Sequence, residues 1–118
     1  NVTVLKLPWP AMPELSPNWR GHWAQKHRAK AQLRLAWAWE AKRQGATRLD
    51  SDGLSLHITF VPPDRRHRDL DNLLASIKAG LDGLADVWKV DDSKWELQIS
   101  KSGAVGGWVE VRVQQDTP

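Results

Sequence analysis

The chain has 118 residues, 41% hydrophobic and 26% charged, enough for one cored domain, not two, and unlike a disordered segment. It has no cysteine, which excludes disulfides, thiolate metal sites and cysteine nucleophiles and suits a reducing cytoplasm. No stretch nears the roughly 18 apolar residues of a membrane span, and the start is not signal-like. Net charge is only +3, yet the isoelectric point is ≈ 9.5, in the range of nucleic-acid binders, and cations crowd between Arg20 and Arg43.

In chain order, Val2 to Leu7 reads as a strand stopped by Pro8-Trp9-Pro10, and Pro10 to Pro17 as an aperiodic loop or arm. From Trp23 to Gln44 the spacing predicts a helix whose buried face holds Leu33, Ala36, Trp37 and Ala41, with Gly45 as its stop. Leu54, Leu56, Ile58 and Phe60 alternate with Ser55, His57 and Thr59, the pattern of a half-buried strand ended by Pro62-Pro63. Leu70, Leu73, Leu74, Ile77, Leu81 and Leu84 recur at helical spacing and predict one second helix. Trp95, Leu97 and Ile99 alternate again, as do Val109, Val111 and Val113, and the glycine-containing segment Lys101 to Gly107 between them reads as a hairpin loop. The order strand, helix, strand, helix, strand, strand implies a single α+β domain over residues 1–118, a mixed sheet with helices packed on it.

The segment Pro62-Pro63-Asp64-Arg65-Arg66-His67-Arg68-Asp69-Leu70-Asp71-Asn72 is where chemistry concentrates. Arginines hold phosphate, and clustered carboxylates hold a hard divalent cation such as Mg²⁺ through oxygen. Together they are what metal-assisted phosphodiester cleavage requires, because the metal offsets charge on the attacked phosphate and activates water. A second acidic pair, Asp91-Asp92, follows the second helical pattern. An EF-hand is excluded, since counting from Asp69 puts Leu74 at the sixth position and Gly80 at the twelfth.

Advancing about 100° per residue along one continuous helix from Asp71 puts Lys78 about 20° to one side and Asp82 about 20° to the other. The leucine and isoleucine stripe centres about 100° away, so Asp71, Lys78 and Asp82 should share a face beside the core. Asp69 can join them only from before the helix, at its N-cap, where Asp is favoured and where the preceding segment is non-helical. Of Asp91 and Asp92, neighbours in an extended segment, one is expected to face the site. Capping, dipole pairing and turn formation are the ordinary uses of such acids. Two acidic pairs beside one arginine run favour a site instead.

At these residues the chain resembles the RusA-like Holliday junction resolvases, small Mg²⁺-dependent endodeoxyribonucleases of bacteria, phages and prophages. The matching residues are Leu7-Pro8-Trp9-Pro10, Pro63 to Leu73, and Val90-Asp91-Asp92. The resemblance implies a cytoplasmic protein of a bacterial or phage-infected cell, a homodimer that binds a four-way DNA junction and nicks two strands symmetrically. It assigns the catalytic acids to Asp69, Asp71 and Asp92, with Mg²⁺ (Mn²⁺ as a substitute) as the metal, and the basic residue before the first acid to Arg68. The family's lysine four residues past the second acid has no counterpart, because Ala75 stands there. Lys78, seven residues past Asp71 and on the same side of a helix, is its candidate replacement. The aspartate one turn beyond matches Asp82, and Asp82 and Asp91 are further candidate metal ligands.

Candidate DNA contacts are Arg65, Arg66 and Arg68, the loop residues Asn18 and Arg20, and the stripe Lys26, Lys30 and Arg34. His22, Arg28 and His67 lie in the same basic stretches, and the stripe would equally suit a solvated helix face. Of eight tryptophans, Trp37, Trp95 and Trp108 are expected to pack in the core or on the sheet. Trp9, Trp19 and Trp23 flank the basic loop, placed to pack on a second subunit or stack on exposed bases. Two alternatives to junction resolution stand: a non-cleaving module for branched or single-stranded DNA, and a nuclease for flaps or other branched DNA.

Overall fold

The computed structural model describes residues 2–46 and 54–115, with the side chains of Val2, Asp92 and Gln115 outside that description. Strand β2, Leu54–Val61, buries Leu54, Leu56, Ile58 and Phe60 on one face, as its alternation requires. Strand β4, Trp108–Gln115, lies antiparallel on one side of β2, and strand β3, Trp95–Lys101, lies parallel on the other. Strand β1, Val2–Pro8, pairs antiparallel with the far side of β4, giving the order β1-β4-β2-β3. The expected hairpin between β3 and β4 is therefore absent: β2 lies between them. Their connection passes the end of β2 and is fastened there, Ser102 N donating to Phe60 O (2.9 Å), Gly106 N to Pro62 O (2.8 Å) and Gly107 N to Val61 O (2.9 Å). Alternation fixes which face of a strand is buried but not which strand it pairs with.

Helix α1, Trp23–Arg43, buries Ala29, Leu33, Trp37 and Ala41, one residue per turn. Ala36, expected on that face, is half-buried at its edge. Gly45 adopts φ +86° past the helix end, and Ala46 N closes back on Ala41 O (2.8 Å) while Gly45 N reaches Lys42 O (3.1 Å). These are the two bonds of a Schellman stop, which needs the left-handed residue that glycine supplies without steric cost.

The single second helix expected from Leu70 to Leu84 is two helices. Helix α2, Leu70–Ser76, stops at Ile77 (φ −105°, ψ 6°), and helix α3 runs Lys78–Trp88. Ser76 Oγ donates to Asn72 O (2.9 Å), a back-bond that bends helices, and Ile77 N tightens onto Leu74 O (3.2 Å). Ile77 is fully buried, so the apolar period runs through the break and hides it from the sequence. Helix α3 then packs closely on α1; a Cβ at Gly83 would lie 2.2 Å from the Arg34 carbonyl oxygen, so only glycine permits this approach.

The helices and the inward sheet residues, including Leu5, Leu7, Val109, Val111 and Val113, enclose the core. Trp37, fully buried, donates its indole N–H to Pro8 O (3.2 Å). Trp88, 1% exposed, bonds Ala46 O (3.0 Å) and tilts against Trp95 at 5.5 Å; it continues the stripe of Leu81 and Leu84. Trp108 is half-buried under the Lys6 ammonium (3.9 Å) on the other face of the sheet. No helix among the described residues is long and apolar enough to cross a membrane.

Candidate acidic site and phosphate-binding cleft

Asp64, which the sequence shows only as a lone acid ahead of the arginines, organises the whole segment between β2 and α2. Its Oδ1 accepts the Arg66 backbone N–H (3.0 Å), a turn formed two residues on, and its carboxylate also meets Arg66 Nε (3.2 Å) and Arg68 Nη1 (2.9 Å). Arg68 turns inward: its side chain is 15% exposed and its guanidinium lies 5.4 Å over Trp9, which itself packs edge-on to Phe60. Lys101, at the end of β3, donates from Nζ to Arg68 O (2.9 Å) and ties the segment to the sheet. Arg65 is exposed, as are Arg66 and His67.

The Arg68 hydrogen bond, followed by the Arg66 backbone N–H, holds the Asp64 carboxyl far below the usual carboxylate range. A depressed folded pKa contributes stability at pH values above the unfolded value of about 3.9 and loses it as pH falls below. Asp64→Asn should therefore melt below wild type at pH 7, with the gap closing as pH falls through about 4. Melting curves recorded from pH 7 down to pH 3 test this, and a gap that does not change with pH would contradict it.

Asp69 takes the N-cap position of α2 with extended backbone (φ −79°, ψ 136°), the geometry the non-helical approach to the helix requires. Its side chain makes no capping bond; the carboxylate is 66% exposed, with His67 Nε2 3.2 Å from Oδ1. It opens into a cleft of about 410 Å³ lined by Trp9, Met12, Arg66, His67, Arg68 and Asn72. Asp71 stands exposed in the first turn of α2, on the same helix end but off that lining. Asp91 is exposed and its Oδ1 accepts Ser93 N (3.1 Å), opening a 3-10 turn over Asp92–Lys94. Asp92 is thus helical, not extended, and the alternation expected for the pair does not apply. Its side chain lies outside the described residues. Among the described residues no three His, Asp or Glu side chains gather to hold an ion.

Lys78 opens α3, exposed, just past the break at Ile77. The rotation that put Asp71, Lys78 and Asp82 on one face assumed a continuous helix and fails at that break. Asp82 is half-buried and turned toward α1: with Asp86, whose hydrogen bond dominates, it raises the pKa of Arg34. Arg34 is gripped by both Asp86 oxygens (2.7 and 2.8 Å), so this member of the basic stripe joins α1 to α3. Lys26, half-buried, donates to Ser16 O (3.2 Å) and anchors the loop, while Lys30 and Arg20 are exposed. Asn18, also exposed, donates its backbone N–H to Ser16 Oγ (3.1 Å). His22 caps α1, its Nδ1 accepting Ala24 N (3.1 Å).

Two residues escaped the sequence reading. Asp64 carried a usable signal, an Asp after Pro-Pro with its turn two residues on. Lys101 carried none, because only the pairing of Phe60 with Lys101 across β2 and β3 brings it to the arginine segment.

No family model matches the chain. A protein of Xylella fastidiosa (strain Temecula1 / ATCC 700964), described only as an uncharacterized protein, is 40% identical over 94 residues, 77% of this chain and 61% of that protein. The chain thus spans about three-fifths of that relative's length.

Proposed function

We propose that the chain is a RusA-like, Mg²⁺-dependent endodeoxyribonuclease that resolves four-way DNA junctions by paired nicks. The observation that carries this reading is Asp69: an aspartate at an N-cap that leaves capping undone and presents its carboxylate in a cleft walled by Arg66 and His67. Mg²⁺ keeps much of its water and binds through one or two carboxylates plus substrate phosphate. Exposed Asp69 and Asp71 at one helix end, beside a cationic cleft, fit that demand, with Asp92 as the third acid. Bound there, the ion would supply charge for the attacked phosphate and an activated water. The chain's own groups hold the strand: Arg66 at the wall, with Arg68 fixing the segment from behind and Trp9 as its platform. In the same reading the protein acts in the cytoplasm as a homodimer, which supplies two symmetric cuts from one gene product. Leu35 and Trp39, 71% and 61% exposed and one turn apart on α1, offer apolar surface to a second copy, as does Trp23, 74% exposed, at the start of that helix.

Lys78 is proposed to serve the reaction from the start of α3. Lys78→Ala should slow cleavage by on the order of 100-fold with junction affinity kept. An unchanged rate would make it a solvated surface residue.

The test of the function is incubation with a synthetic four-way junction, a flap and a linear duplex, with and without Mg²⁺, with light scattering on the free protein. Symmetric nicks in the junction alone, and a mass twice the 13.4 kDa of the chain, are expected. Cutting of flaps in preference would change the substrate; binding without any cutting would leave a branched-DNA-binding module.

A further inference from the structure

Beside the Asp69 cleft lies a second hollow, of about 310 Å³, between the arginine segment and the connection that follows β3. Asp64, Arg65, Arg66, His67, Lys101 and Ser102 supply its polar lining. Three permanent cations thus face one carboxylate, and that carboxylate is already engaged by Arg68 and by the Arg66 backbone. We propose that this hollow is a second phosphate-binding site, taking the phosphate next to the attacked one on the same DNA strand; the proposal rests on the endonuclease reading above.

Lys101 and Arg66 are held in place yet retain capacity. Lys101 spends one of three ammonium protons on Arg68 O. Arg66 spends Nε on Asp64 and keeps its terminal nitrogens, and Arg65 is exposed without a hydrogen bond to any described residue. Ser102 accepts Ala104 N at Oγ (3.1 Å), leaving its hydroxyl proton to donate, and its backbone is pinned to Phe60 O. These donors converge from segments far apart in sequence, which a merely solvated arginine run does not require. Arg66 and His67 line this hollow and the Asp69 cleft alike. They form the wall between the two, so a strand crossing the wall would leave one phosphate on each side.

The experiment measures four-way junction binding by fluorescence anisotropy in EDTA across a range of salt. Wild type is compared with Arg65→Gln, Lys101→Gln, the double variant, and Lys89→Gln as an exposed cation outside both hollows. Each lost phosphate contact should reduce the slope of log K against log salt by about 0.9, so the double variant should lose nearly 2. Lys101→Arg should restore the slope lost in Lys101→Gln. Arg65 is exposed and makes no hydrogen bond or ion pair with any described residue, so its variant keeps the test valid if Lys101→Gln folds poorly. A double variant with the slope of Lys89→Gln, while wild type binds the junction, overturns the second site and leaves the nuclease reading standing. Junction binding with the expected slope losses, but no cleavage by wild type in Mg²⁺, supports the site and overturns the nuclease. A wild type that binds no DNA overturns both.

Discussion

Asp71→Asn should lower junction cleavage by on the order of 1000-fold while junction affinity in EDTA stays equal or tightens. Asparagine keeps the size of the side chain and removes one negative charge. Asp71 is exposed at the first turn of α2, so the fold does not depend on it. If Asp71 is one of the proposed metal ligands, losing its charge would weaken the hold on the ion and lower the rate with it. The same loss relieves repulsion of DNA phosphate, which is why binding and cutting should move in opposite directions. Cleavage within tenfold of wild type would assign Asp71 to the helix dipole alone, and weaker binding in step with the rate would make it a DNA contact.

Trp37→Ala carries the largest expected effect on stability. The side chain is fully buried, its ring fills the space that a Cβ on Gly80 would otherwise enter (2.5 Å), and its N–H satisfies Pro8 O. Truncation leaves a cavity between α1 and α3 and removes the indole hydrogen bond to the carbonyl at the end of β1. Such replacements cost about 3–5 kcal/mol, a large share of the roughly 5–15 kcal/mol that holds a domain of this size folded. The melting temperature should fall by about 10–20 °C. Urea denaturation should give the same loss with little change in slope. A loss below about 1 kcal/mol would mean that the two helices close over the gap.

Local pattern made much of this molecule readable. The buried face of α1 and its stop at Gly45 follow from helical spacing and from glycine's access to left-handed backbone. The extended backbone at Asp69 follows from the prolines and the aperiodic run before it, and it was the geometry two nearby acids needed. Pairing of distant segments was not readable. The alternation of β3 and β4 is the same whether they form a hairpin or flank β2, and only β2's two-sided pairing decides it. The break at Ile77 was hidden because a buried residue there preserves the apolar period. Arg34 looked like a free cation because its partner Asp86 lies on a different helix. Lys101 looked like a loop residue for the same reason, its place beside Arg68 being set by strand register.

The central claim, that Asp69, Asp71 and Asp92 together hold a divalent ion, is tested most directly by electron paramagnetic resonance titration of Mn²⁺ into the protein with a four-way junction bound. Wild type should take up one ion per chain, displaced by Mg²⁺, and Asp69→Asn, Asp71→Asn and Asp92→Asn should each weaken that uptake. Uptake unchanged in all three variants would contradict the account.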